Sequence, residues 1–354
     1  MFHFPDYFHT EEQLDDFLST PYSETVEMMK RLKGDIIILG AGGKMGPSLA
    51  ATAVRACQEA GVEKRIIAVD LFHEKGAEEK IKKAGAETIV CDLLDPAQAA
   101  ALPRAENVIF MAGRKFGTVG SEPLTWMINV IVPEIVCRTF CKSRIVAFST
   151  GCVYALVSPE SGGSVETDVP MPVGEYANSC LGRERVFEYY SERCNTPILL
   201  FRLNYAVELR YGVLTDIARK IWAEEPLERS VGAFNFIWQG DAVNRALLCL
   251  EHTSVPAFHL NVTGADTLAL EGFALYFSDA FEKKVRFKGT DLRKGYISNA
   301  AHSIKLFGAT RVPMVDIMRW TADWIQRGGV LYDKPTHFEV TDGQFLDEKK
   351  KGGG

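Results

Sequence analysis

Apolar residues recur along this chain in short continuous runs rather than in strict alternation. Asp35-Ile36-Ile37-Ile38-Leu39 ends in Gly40, and similar runs fall at Arg65 to Val69, Thr88 to Cys91, Asn107 to Met111, Arg144 to Ser149, Pro197 to Arg202 and Ala257 to Asn261. A run of this kind, apolar on both faces, fits a strand in a parallel sheet covered on both sides. Helix-length stretches separate the runs, among them Lys44 to Ala60 and Ser179 to Arg193. Strand alternating with helix predicts an α/β fold with a doubly wound parallel sheet. Residues 1–34, ending in the amphipathic Glu24 to Lys33, read as an N-terminal extension whose one helix packs outside the core. Residues 35–204 read as the main α/β domain, its sheet completed by about 230–262. From about 205 the alternation loosens, so 205–335 is expected to be mostly a small substrate-binding cap over the carboxyl edge of the sheet. Residues 336–354 read as a C-terminal tail that ends in the low-complexity Lys349 to Gly354.

Composition narrows the function. The 354 residues carry a net charge of -6, which argues against a nucleic-acid binder, since phosphate backbones call for a basic face. No apolar stretch reaches the roughly 18–20 residues of a membrane span. The best, Trp126 to Cys137, is interrupted by Asn129, Pro133 and Glu134. Met1-Phe2-His3-Phe4-Pro5-Asp6 lacks the basic start and apolar core of a signal peptide. Eight cysteines with no C-x-x-C pair fit a reduced, cytoplasmic setting, and seven scattered histidines give no metal-site spacing.

The chemistry concentrates in Gly40-Ala41-Gly42-Gly43-Lys44-Met45-Gly46, which follows a strand and opens a helix. Gly40 permits the tight turn, Gly43 lets the backbone approach a pyrophosphate and Gly46 allows close packing of helix on strand. The helix start offers free N–H groups to phosphate. Asp70 ends the second strand 24 residues beyond Gly46, near the roughly 20 expected of an acid that bonds the adenosine ribose. A carboxylate there repels a 2′-phosphate and favours NAD over NADP, while Lys44 argues the other way. The domain is therefore expected to be of Rossmann type and to hold NAD, with NADP possible.

With these motifs in place, the chain resembles the extended short-chain dehydrogenase/reductase family, also called NAD-dependent epimerases/dehydratases, over roughly 35–330. The family's G-x-x-G-x-x-G matches Gly40, Gly43 and Gly46. The resemblance implies cofactor contacts from Lys44, Met45, Asp70-Leu71, Asp92-Leu93, Met111-Ala112-Gly113 and Tyr176. Phe148-Ser149-Thr150-Gly151-Cys152-Val153-Tyr154 is similar to the family's S-S-x-x-V-Y stretch, which makes Thr150 the expected catalytic hydroxyl. Tyr176 follows 26 residues later, at the spacing of the catalytic tyrosine. Arg202-Leu203-Asn204 resembles R-P-x-N without its proline.

One position breaks the pattern. The family signature is Y-x-x-x-K, and here Tyr176-Ala177-Asn178-Ser179-Cys180 puts a thiol where the lysine belongs. A lysine four residues on shares the tyrosine's helix face and lowers its pKa. A shift of about 3 units stabilises the phenolate by roughly 4 kcal/mol, and a neutral thiol supplies none of it. Three readings remain: a redox enzyme in which another cation replaces the lysine, with Lys115 after the fourth strand the preferred candidate; an enzyme in which Tyr176 acts mainly by hydrogen bonding and proton donation while another base abstracts the proton, as in elimination or epimerisation; or a cofactor-binding sensor or scaffold without catalysis. Cys180 itself reads as a small buried filler. Arg183 and Arg185 are expected to face solvent or a partner.

The substrate reading follows from a second departure. Many relatives bind nucleotide sugars and hold the diphosphate through R-D-F-x-x-V-x-D, but the corresponding segment here, Phe234 to Asp241, puts Phe234 at the arginine position. Arg210, Arg229, Arg293 and Lys294 could substitute, though surface charge accounts for each equally well. A simple or glycosidic sugar is the leading expectation, with a nucleotide sugar close behind; Asn204, Trp238 and Gln239 are the expected contacts, with Trp238 equally readable as core. By resemblance, Met127 to Cys141 and Tyr176 to Tyr190 are candidates for a homodimer interface.

Overall fold

A computed structural model describes residues 4–74, 76–290, 293–332 and 334–345. Seven strands form one parallel sheet: β1 (Ile36–Leu39), β2 (Ile66–Asp70), β3 (Glu87–Val90), β4 (Asn107–Phe110), β5 (Arg144–Thr150), β6 (Ile198–Leu203) and β7 (Phe258–Val262). Their order is β7-β6-β5-β4-β1-β2-β3, with every neighbouring pair parallel. The fold is thus a Rossmann-type doubly wound α/β sheet, and the order reverses between β1 and β4, where such folds leave a crevice.

β1 shows why the sequence folds this way. Alternate residues point to opposite faces. Ile36 and Ile38 pack with Leu49, Ala50 and Ala53, whereas Ile37 and Leu39 pack with Val132, Val136, Phe140 and Phe187. An alternating strand would leave a polar face against one of these layers. At the far edge, β3 carries Glu87 and an exposed Val90, as an outermost strand can.

A second core lies beyond the sheet. It joins Ile217, Phe234, Phe273, Trp238, Trp320 and Trp324, and it includes Phe8, Leu14 and Leu18 from the N-terminal segment. That segment differs from expectation. It holds two helices, α1 (Glu11–Leu18) and α2 (Ser23–Arg31), and neither merely coats the surface. Met28 and Met29 of α2 enter the sheet-side core, and the Tyr22 hydroxyl bonds Asp241 at 2.9 Å. The physical reason is burial: Leu14, Met28 and Met29 are fully enclosed, and each apolar side chain so enclosed contributes about 1.5–3 kcal/mol.

The C-terminal stretch also departs from a loose tail over its described part. Thr336, Phe338 and Phe345 are buried, and the Thr336 N–H and hydroxyl both donate to Asp216 Oδ2, at 2.7 and 2.6 Å. The low-complexity end, Lys349 to Gly354, lies outside the described residues. No described helix is long and apolar enough to cross a membrane.

Candidate active site

The glycine loop is shaped by its backbone. Gly40 adopts φ +89°, and its N–H donates to Val69 O at 2.8 Å. A Cβ there would collide with the backbone of Ala112, so the turn presses against the end of β4. A Cβ on Gly46 would strike the Ala41 carbonyl, while one on Gly43 would meet nothing within 4 Å. Gly43 therefore borders open space at the start of α3 (Gly46–Ala60), where first-turn N–H groups suit a pyrophosphate. Asp70 Oδ1 accepts the Phe72 N–H at 2.9 Å, which leaves Oδ2 for a ribose hydroxyl. Leu71 beside it is exposed. Asp92 Oδ1 accepts the Leu94 N–H at 2.9 Å, and Leu93 is buried next to it. Met45 and Met111-Ala112-Gly113 lie at the same carboxyl edge, Met45 and Met111 half-buried against the sheet core. The donor set fits a dinucleotide.

Beyond β4 the site is built from separated segments. Thr150 ends β5, and its hydroxyl accepts the Cys152 N–H at 3.1 Å while standing in hydrogen-bonding reach of Tyr176. Tyr176 lies in the first turn of α4 (Gly174–Cys194), with Cys180 one turn on and side-chain bonded to it. Burial holds the Tyr176 hydroxyl well above its ordinary range, reinforced by the thiols of Cys180 and Cys152 and opposed by Arg183. The same burial pushes the Cys180 thiol up to about 11, which suits a filler rather than a nucleophile. Lys115 enters from the loop after β4. Its Nζ lies 5.8 Å from the centre of the Tyr176 ring and 4.8 Å from that of Phe345, and donates to Thr336 O at 3.3 Å. Burial lowers its pKa.

The loop that carries Lys115 is clamped by a residue the sequence reading passed over. Asn129 sits in a π-helical turn, Met127–Ile131, and its Oδ1 accepts the Arg114 N–H at 2.9 Å while its Nδ2 donates to Arg114 O at 3.0 Å. The same amide donates to Ser179 Oγ and accepts from Arg183 Nη2 at 2.7 Å. Arg183 is thus a correction: it is buried, also donates to Phe148 O at 2.9 Å, and does not face solvent. Its position explains this, since seven residues beyond Tyr176 is two helical turns, on the same inward face. Arg185 is exposed and paired with Glu188 at 2.7 Å. In sequence, Asn129 showed only as a polar break in an apolar stretch.

Three substrate candidates separate. Trp238 is corrected to a core residue: it is 1% exposed and packs its ring against Phe8, Phe17 and Trp320. Gln239 lines the cavity and donates to Ser48 Oγ at 2.9 Å. Asn204 lines it too, although its amide donates to Asn235 Oδ1 and Tyr296 O. Phe234 is buried, stacked on Phe273 at 4.5 Å between ring centres. Two of the arginines considered for a diphosphate are already paired, Arg210 with Glu208 and Asp15, and Arg229 with Glu271. Arg210 is buried, not a surface charge.

Lys44 holds its backbone in the glycine loop, but its side chain turns to the cap and sits over the Tyr211 ring. Behind the site, Arg202 and Glu184 form a buried bidentate pair at 2.9 and 2.7 Å. Ser149 donates to Glu184, and Arg202 donates to the Tyr154 hydroxyl at 2.6 Å. Glu184, Glu188 and His259 bring ligand atoms within 4.8 Å of one another, yet Arg202 and Arg185 already neutralise both carboxylates.

Comparisons agree on the architecture. No protein-family model and no curated protein matches the chain. Among solved structures it is similar to the UDP-glucose 4-epimerase of Thermotoga maritima with UDP-glucose, at 16% identity and TM-score 0.68, covering 83% of this chain and 99% of that one. It is similar to the UDP-glucuronic acid 4-epimerase of Bacillus cereus in complex with NAD, at 16% identity and TM-score 0.68, with the same coverage. A third is the dTDP-glucose 4,6-dehydratase of Streptomyces venezuelae with NAD bound, at 14% identity and TM-score 0.70, covering 83% and 97%. At these identities the likeness is one of fold.

Proposed function

We propose that this chain is an NAD-dependent oxidoreductase, epimerase or dehydratase of the extended short-chain dehydrogenase/reductase type, acting on a sugar or sugar derivative through hydride transfer. One observation carries the reading: a lysine from another element, Lys115, stands beside Tyr176 although position 180 holds a cysteine. NAD, when bound, supplies the hydride acceptor. Tyr176 exchanges a proton with the substrate hydroxyl, Thr150 hydrogen-bonds the same oxygen, Arg183 opposes the high pKa that burial imposes on the phenol, and the role read for Lys115, 5.8 Å from the ring centre, is to add a second positive charge there. Asp70 favours NAD over NADP, and the turn of Lys44 towards Tyr211 removes the argument for a 2′-phosphate.

A second reading, an NAD-binding sensor or scaffold, draws on one feature. Phe345 packs edge-on against the Tyr176 ring, 5.5 Å between ring centres, which narrows access to it. The test is a titration of purified protein with NAD, followed by absorbance at the reduced-cofactor band over a panel of sugars. Hydride transfer to any of them supports the enzyme. Bound NAD without transfer favours the sensor, and no NAD binding overturns both.

A homodimer belongs to the same reading. The helices around 122–139 and 174–194 pack together and leave Leu124, Met127, Ile131 and Tyr189 exposed. Ile131→Glu is expected to convert a dimer to a monomer by light scattering; an unchanged mass would place the interface elsewhere.

A further inference from the structure

Two lysine side chains line one cavity between the sheet and the cap. It encloses about 200 Å³ and is lined by Lys44, Lys115, Thr150, Tyr176, Tyr211 and Gln239, among others. Ligand pockets for drug-sized molecules typically run from roughly 300 to 1,000 Å³, so this one suits a small occupant.

Among the described residues neither amine takes part in an ion pair. Lys115 has the Thr336 carbonyl, and Lys44 has the faces of Tyr211 and Phe116. The acids in their neighbourhood bond other groups: Glu208 pairs with Arg210, Glu339 with Lys220, and Asp216 accepts from the Thr336 N–H and hydroxyl. Burial lowers the pKa of both, and Lys115 and Lys334 lower that of Lys44 further. Two partly buried cations with no ion-paired acid are costly to maintain, and an anion bound in the cavity they line would offset that cost.

The Lys44 amine also turns away from where a dinucleotide phosphate would lie. That position borders Gly43 and the start of α3, whereas the Lys44 amine faces the cap residue Tyr211. Phe234, at the position of a diphosphate-binding arginine, is packed in the core against Phe273.

Resting on the function proposed above, we infer that Lys44 and Lys115 form an anion site for a carboxylate or phosphate carried by a small, nucleotide-free sugar-type substrate. The acid group is held at the cap end, and a hydroxyl-bearing carbon is left beside Tyr176 and Thr150.

The experiment is calorimetric titration of the purified protein, with and without NAD, using glucuronate, glucose 6-phosphate, glucose and UDP-glucose. Binding of glucuronate or glucose 6-phosphate at least ten-fold tighter than glucose supports the site, and the two acids distinguish carboxylate from phosphate. Lys44→Met should weaken the preferred acid by about ten- to hundred-fold, while Lys44→Arg retains most of the preference. Equal binding of glucose and both acids overturns the proposal. So does tightest binding of UDP-glucose, or a loss of NAD affinity in Lys44→Met as large as the loss for the acid, which would give the lysine to the cofactor phosphates. Acid binding without NAD binding would keep the anion site and sink the enzyme reading, so the two can fail separately.

Discussion

The buried cations behind the candidate site and those inside it are treated in opposite ways. Arg202 is matched bidentately by Glu184 and also reaches Tyr154, and Arg183 spends its guanidinium on Asn129 and the Phe148 carbonyl. Such groups have nothing left to offer a ligand, and their work is to fix the ends of β5 and β6. Lys44 and Lys115 are half-buried and not ion-paired with an acid, and the cavity they share adjoins Tyr176. Satisfied charge marks the scaffold, and unsatisfied charge marks the place where a ligand completes the structure.

The contrast can be broken first on the scaffold side. Glu184→Ala strands Arg202 without a counter-charge and should cost about 3–5 kcal/mol in urea denaturation. A loss below about 1 kcal/mol, the value of a surface pair, would erase the distinction. Next in size is the clamp. Asn129→Ala frees the loop that carries Lys115, and a displacement on the order of 1 Å is expected to lower turnover about 100-fold, with NAD affinity held. Unchanged turnover would show that the loop positions itself.

The smallest effect lies on the lysine side. At neutral pH, Lys44→Met removes a charge that the folded state holds at a cost and should stabilise the protein by up to about 1 kcal/mol. The sign with pH follows from the lowered folded pKa. Between that value and the ordinary 10.5, the unfolded chain binds more protons, so wild-type stability rises with pH and the advantage of the variant shrinks. Thermal melts of both proteins across the alkaline range check this. A gap that widens with pH would contradict it.

The two halves of the site also differ in how far the sequence revealed them. The turn at the glycine loop was legible because backbone geometry dictates it within a few residues: only glycine tolerates the φ of Gly40 and the contacts around Gly46. The strands were legible to within a residue or two, since runs apolar on both faces have few other uses. The reacting half draws on positions near 44, 115, 129, 150, 176, 211 and 336, and no spacing rule links them. Lys115 was named only because its loop follows β4. Asn129 and Arg183 escaped because a polar residue within a helix looks the same in sequence whether it clamps a loop or meets water. Trp238 was misplaced for a related reason: ring size signals burial and ligand stacking alike, and the aromatic partners from Phe8, Phe17 and Trp320 are far away in the chain.

The central claim is that Lys115 supplies the charge the Tyr176-to-Cys180 signature lacks, and the most direct measurement pairs turnover with cofactor affinity in Lys115→Ala. The expected result is a loss of hydride transfer of about 10²–10⁴-fold, in line with removal of an essential acid–base component, with the NAD dissociation constant unchanged within error. Turnover equal to wild type would contradict it.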